Sequence, residues 1–329
     1  MTARSTARGR VADRLPGVLH LRLISPGERT DAVFSLLATT PGVTNVIVLP
    51  AAARVPAGDV VLCDVAREAA DELVAALCEL GLDEEGSIAI EDVDTALSRV
   101  ARQAERDAPG EGVDAVVWQQ VEERTSDESA LSVTFLAFLS IATMIAGIGV
   151  LLDQPILIVG AMVVGPEFGP IAGLCVALAL RERALAARSL RALVIGFPFA
   201  IGVAVLATLV ARAVGLVDPG MLDSAHPLTS FISRPDAFSF IVSFLAGIAG
   251  ILSLTSAKSG ALIGVLISVT TVPAAGNTAV ALALGDPATA GGSLLQLAVN
   301  VSGMVLAGTL TLLVQRRRWR RSRVSTPTP

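Results

Sequence analysis

Six apolar stretches, each long enough to cross about 30 Å of hydrocarbon, dominate residues 131–315. They run over Leu131–Leu152, Ile156–Leu180, Ala192–Val214, Phe238–Ser256, Gly260–Leu284 and Ser293–Val314. Breakers or charges separate them: Asp153-Gln154-Pro155, Arg181-Glu182-Arg183, Asp218-Pro219-Gly220 and Gly285-Asp286-Pro287. A soluble 329-residue chain that is 53% hydrophobic and 17% charged could not hide its apolar surface. The same composition excludes a disordered, collagen-like or disulfide-built chain.

Charge is divided along the chain. Residues 1–130 hold 23 acidic and 12 basic residues, and residues 131–329 hold 7 and 13. This predicts an acidic soluble domain followed by a membrane domain with basic edges. The net charge of −5 gives no hint of nucleic-acid binding. Cys63, Cys78 and Cys175 form no CxxC pair, so neither a disulfide framework nor a zinc site is expected, and no metal or cofactor is assigned. No apolar leader segment stands near the N-terminus, which keeps the soluble domain on the cytoplasmic side.

Residues 1–15 read as a disordered N-terminus. Residues 16–96 then alternate strand and helix patterns: strands Val18–Ile24, Val43–Leu49, Asp59–Val65 and Ser87–Glu91, with helices Glu28–Thr39 and Ala66–Leu80. The order β-α-β-β-α-β is that of an α+β ferredoxin-like domain. Such a module either binds a regulatory ligand or packs against another copy. No phosphate loop, metal cluster or catalytic pair is visible in it, and His20 is expected as an ordinary strand residue. Residues 97–130 read as a linker with a helix at Val113–Arg124, in which Trp118 would meet either lipid or the soluble domain.

Basic residues set the orientation. With the N-terminus inside, the inner segments hold Arg181, Arg183, Arg188, Arg191, Lys258, Arg316, Arg317, Arg318, Arg320, Arg321 and Arg323, and the outer side only Arg212 and Arg234. Six spans put both termini in the cytoplasm, with 316–329 as a basic tail that touches anionic lipid.

Two pieces of the apolar region repeat. AGIGVLL (146–152) resembles AGIAGIL (246–252) at an offset of 100, and VALAL (176–180) recurs at 280–284 at an offset of 104. Three spans per repeat is an odd number, so the second repeat would be inverted, as in many secondary transporters. The second span of each repeat is broken. Gly165-Pro166-Glu167-Phe168-Gly169-Pro170 interrupts one, where two prolines remove amide donors. Thr270, Thr271, Pro273, Gly276 and Asn277 interrupt the other. Backbone freed in a bilayer must be buried in protein or face a wet cavity. Two kinked helices packed through small residues are the simpler reading, but two breaks at matching places favour a site. Glu167 is the one acid deep in a span and a candidate for a cation, a proton or a positively charged substrate. Gln296, Asn300 and Ser302 are polar residues of the last span, and Asn300 serves equally to tie helices or to contact a substrate.

The stretches GAMVVGPEFGPI (160–171) and ALIGVLISVTTVPAAGNTAVALALG (261–285) resemble the prokaryotic membrane family called domain of unknown function 389. The first signature is similar at Val159, Gly160, Ala161, Met162, Pro166, Gly169 and Pro170. The second is similar at Leu262, Gly264, Val265, Val272 and Pro273, and the family's late Asn falls on Asn300. Glu167 and Ala274 depart from the family pattern, which makes Glu167 a feature of a subgroup. The resemblance covers about 130–315 and implies a polytopic inner-membrane protein without naming a substrate.

The expected fold is therefore a membrane all-α domain of six transmembrane helices in an inverted 3+3 repeat, after a ferredoxin-like cytoplasmic domain. The expected function is secondary transport, with proton or cation coupling as an option, and not catalysis. Glu167, Thr270, Thr271, Asn277 and Asn300 would contact the ion or small-molecule substrate. Gly165, Pro166, Gly169, Pro170, Pro273 and Gly276 would shape the site. A gated ion channel and a membrane-anchored sensor are the alternatives. Membrane lipid and a second copy of the chain are the expected partners.

Overall fold

The computed structural model describes residues 18–93, 116–218, 236–256 and 271–324, with side chains to 317, and isolated positions between these ranges. The expected N-terminal tail 1–15 and Thr270 lie outside the described residues. The chain divides into two compact units, Met1–Gln120 with two short later pieces, and Val121–Leu254 with Lys258–Arg321.

The first unit runs β1 (Val18–Ser25), α1 (Thr30–Thr39), β2 (Val43–Arg54), β3 (Ala57–Ala66), α2 (Arg67–Glu79), the one-turn α3 (Leu82–Glu85) and β4 (Ser87–Asp92). Its four strands lie in the order β2-β3-β1-β4, and each neighbouring pair is antiparallel. Alternation along the strands buries one face: Leu19, Leu21 and Leu23 of β1 and Val61, Cys63 and Val65 of β3 meet Val33, Leu37, Ala70, Leu73 and Leu77 of the helices. Burial pushes the Cys63 thiol up to about 12, so it is an inert core residue. The β2–β3 hairpin is longer than the sequence pattern suggests, because Pro50 lies on an edge strand, where a missing N–H leaves no ladder bond unmade. His20 is paired, its Nδ1 2.7 Å from Asp64, while Asn45 donates to the other Asp64 oxygen at 2.7 Å.

Helix α4 spans Trp118–Glu128, later in the chain than the expected Val113–Arg124. Val117 is buried in the core of the sheet unit, and the Trp118 N–H donates to Asp71 at 3.0 Å. The start of this helix is thus tied to the sheet unit.

The second unit continues with α5 (Val133–Leu151), α6 (Pro155–Val164), α7 (Phe168–Leu180), α8 (Arg183–Ala213), α9 (Ala237–Thr255), α10 (Val272–Leu284) and α11 (Pro287–Val324). Among the described residues, four helices are long and apolar enough to cross a membrane: α5, α8, α9 and α11. The α6–α7 pair, bent by 57°, makes a fifth if taken as one span. Helix α10, with 13 residues, is too short alone, and the earlier part of the expected fifth span is outside the described residues. Helix α8 begins before the expected third span and α11 runs on after the expected sixth, both through arginine-rich segments, because arginine is a good helix former. Leu206, Phe238, Leu245 and Leu295 point out of the bundle with more than half their surface uncovered, as lipid-facing residues do. The chain is a membrane protein by these helices.

The helix bounds keep one spacing. Both α5 and α9 have 19 residues, and both α7 and α10 have 13. Each second member begins 104 residues after the first, the separation of Glu167 and Thr271. Caps follow suit: Ser132 accepts from the Phe135 N–H at the start of α5, and Asp236 accepts from the Ser239 N–H at the start of α9. The resemblance of 146–152 to 246–252, offset by 100, is out of this register.

Candidate functional site

Helix α6 stops at Gly165 and α7 starts after Glu167, so Pro166 is the one residue between the two caps. Pro166 can neither continue α6 nor donate to it. Pro170 does not interrupt α7, contrary to the expectation for paired prolines. It falls in the first turn, where the amide has no helical partner in any case. Pro273 likewise falls in the first turn of α10, one position earlier than Pro170 does in α7. Two half-helices therefore begin at the same spot, one at Glu167 and the other at Thr271.

These two residues meet. The Thr271 hydroxyl donates to Glu167 Oε1 at 2.8 Å, and both side chains are fully buried. Each residue is the N-cap of its helix, so the positive ends of α7 and α10 converge on the carboxyl group. Gly165 makes the space for it: a Cβ there would lie 2.3 Å from Glu167 Oε2 and 2.9 Å from Val272 Cγ2. The carboxyl thus sits in a slot formed by a glycine, two helix starts and a threonine.

The other expected residues are distributed around this centre. Asn277, six residues further along α10 than Thr271, donates to Ser293 Oγ of α11 at 2.8 Å, and Ser293 donates to the Thr289 carbonyl. Asn300 is buried on α11 and lies 3.4 Å from Gln296 Nε2. Gly276 faces Gly147 where α10 crosses α5. Gly169 abuts Glu128 at the end of α4, and Ser129 Oγ donates to the Gly169 carbonyl at 3.3 Å and pairs with Ser189 of α8. Burial pushes the Glu128 carboxyl above the usual range, with Arg124 opposing the shift. Among the described residues, no group of His, Cys, Asp and Glu could hold a metal ion.

Pattern reading missed two arginines. Arg316 of α11 donates to the Ala179 carbonyl at the end of α7 at 3.0 Å. Arg212 of α8 approaches the Ala283 carbonyl at the end of α10 at 3.5 Å. Both donors and both acceptors are 104 residues apart. Helix α11 thus caps α7 and α8 caps α10, with a cation at the negative end of each short helix. The constant spacing was the signal that could have found them.

Thr271→Val removes the donor that satisfies Glu167 Oε1 but keeps the shape. It is expected to cost about 1–3 kcal/mol, the penalty for stripping a partner from a buried polar group. Thermal unfolding in detergent micelles would measure the loss, and an unchanged midpoint would mean that the hydrogen bond contributes nothing.

Residues 162–306 match the family described as domain of unknown function (DUF389). The match takes in the helix break, α7, α8, α9, α10 and most of α11, and leaves out the sheet unit. An uncharacterized protein of Methanocaldococcus jannaschii is 30% identical over 148 residues. The aligned part is 45% of this chain and 43% of that protein, so the chain spans less than half the length of this curated relative. No solved structure matches.

Proposed function

We propose that this chain, a member of the DUF389 family through residues 162–306, is a secondary transporter of the plasma membrane. In this reading two inverted three-helix repeats carry a proton, or a cation or substrate exchanged for one, past Glu167. The ferredoxin-like unit is a cytoplasmic regulator. The observation that carries the proposal is the Glu167–Thr271 hydrogen bond.

A two-fold operation exchanges the two members of every equivalent pair. A residue can touch its own equivalent only on the axis, whereas contacts off the axis come in reciprocal pairs. Glu167 with Thr271 behaves as the first kind, and Arg316–Ala179 with Arg212–Ala283 as the second. Equal helix lengths at one offset support the same operation. Three spans per repeat would invert one repeat against the other and set the axis in the membrane plane. A buried carboxyl on such an axis, at the start of two half-helices, is equally placed for access from both faces. The excess of inner arginines supports cytoplasmic termini, and Arg212 on the outer side is accounted for by its capping role.

Flux in liposomes holding the purified full chain tests the reading. A saturable flux of protons or monovalent cations is expected. Open-pore conductance would make the protein a channel of the same architecture. No flux across a panel of cations would leave the chain as a membrane-anchored sensor.

A further inference from the structure

We infer that the cavity between the end of α7 and the stretch Leu313–Arg317 of α11, lined by Arg181, Arg316 and Arg317, is a binding site for the phosphate of an anionic phospholipid headgroup. The cavity measures about 580 Å³, and Leu178, Leu180 and Leu313 complete its walls beside the arginines. Guanidinium groups offer paired donors that fit phosphate oxygens. Leucines beside them fit the upper part of an acyl chain, a combination that free inorganic phosphate would leave unused.

Helix capping accounts for only one of the three arginines. Arg316 bonds the Ala179 carbonyl, as Arg212 does for Ala283 in the other half of the unit. At that other end the positions matching Arg181 and Arg317 hold Gly285 and Ala213. The two extra cations are therefore specific to this end of the bundle. Arg181 is also held in the left-handed region, with φ +68°, where its counterpart is a glycine at φ +85°. A non-glycine residue kept there is strained, and strain of this kind collects at binding sites. Among the described residues, no carboxylate forms an ion pair with Arg181, Arg316 or Arg317. The last carbonyls of α7 would repel an anion if bare, but Arg316 covers Ala179, and the Glu182 N–H covers Ala177.

The test compares thermal unfolding of the full chain in neutral detergent with added phosphatidylglycerol, phosphatidylcholine or inorganic phosphate. The wild type should gain in midpoint with phosphatidylglycerol alone. Arg181→Gly with Arg317→Ala should lose most of that gain while keeping the wild-type midpoint in phosphatidylcholine. Arg183→Ala with Arg191→Ala removes the same charge from exposed positions outside the cavity and should keep the gain. Arg317→Ala alone, an exposed position, serves if the double variant folds poorly, and it too should weaken the gain. An equal gain in the cavity and control variants would reduce the effect to general attraction for anionic lipid and overturn the site. Inorganic phosphate reproducing the gain would overturn the lipid assignment, and so would no gain with any additive.

Discussion

Glu167→Gln is expected to reduce proton or cation flux in liposomes to the level of empty vesicles while the protein stays folded. Glutamine has nearly the shape of glutamate and keeps an oxygen to accept from the Thr271 hydroxyl 2.8 Å away. The slot left by Gly165 can hold it without rearrangement. What the substitution removes is the capacity to gain and lose a proton, and with it the negative charge. Placing a charge in the membrane interior is unfavourable, so the variant should unfold at the same temperature as the wild type or slightly higher. The unfolding measurement is the control that makes the flux measurement informative. A folded variant with wild-type flux would remove Glu167 from the transport path, and its contact with Thr271 would then be a structural tie between helices.

Much of this arrangement could be read from the sequence, for reasons that differ by element. The strands of the sheet unit carry strict alternation at Leu19, Leu21 and Leu23, and a period of two is hard to mistake. One-turn helix α3 carries too little periodicity to register and is not among the expected elements. Breaks in the apolar spans are announced by Pro166 and Pro273, whose effect on the backbone is local. Pairing of Glu167 with Thr271 is not local, since it depends on how two distant segments cross. Their common spacing of 104 residues was present in the VALAL match, but the competing match at 100 blurred it. Apolar low-complexity sequence gives many alignments, and only helix ends choose among them. Arg212 and Arg316 illustrate the same limit. Each reads as a membrane-edge charge, and only the structure shows that each caps a helix distant in the chain. Thr270 and the start of the fifth expected span fall outside the described residues.

Gly276→Ala is expected to destabilise the membrane unit by about 1–3 kcal/mol, the usual cost of overpacking a tight interior. A Cβ at Gly276 would stand 2.7 Å from the Gly147 nitrogen and 2.8 Å from Ala146 Cβ. The obstacle is backbone, so relief requires α10 to move away from α5. Such movement would also shift Thr271, which lies on the same helix next to the carboxyl slot. Gly147→Ala, on the facing helix, is the comparison. Its added Cβ would meet Val280 Cγ2 at 3.1 Å, a contact that a small side-chain shift relieves. Replacing a mid-helix glycine by alanine is also favourable by about 1 kcal/mol through helix propensity. The Gly147 substitution should therefore be near neutral, although the two glycines share one crossing. Thermal unfolding of both variants in the same detergent separates them. Equal loss would mean that the crossing yields as readily on one side as on the other. Loss at Gly276 alone would mark the α5–α10 contact as a fixed point from which Thr271 is held against Glu167.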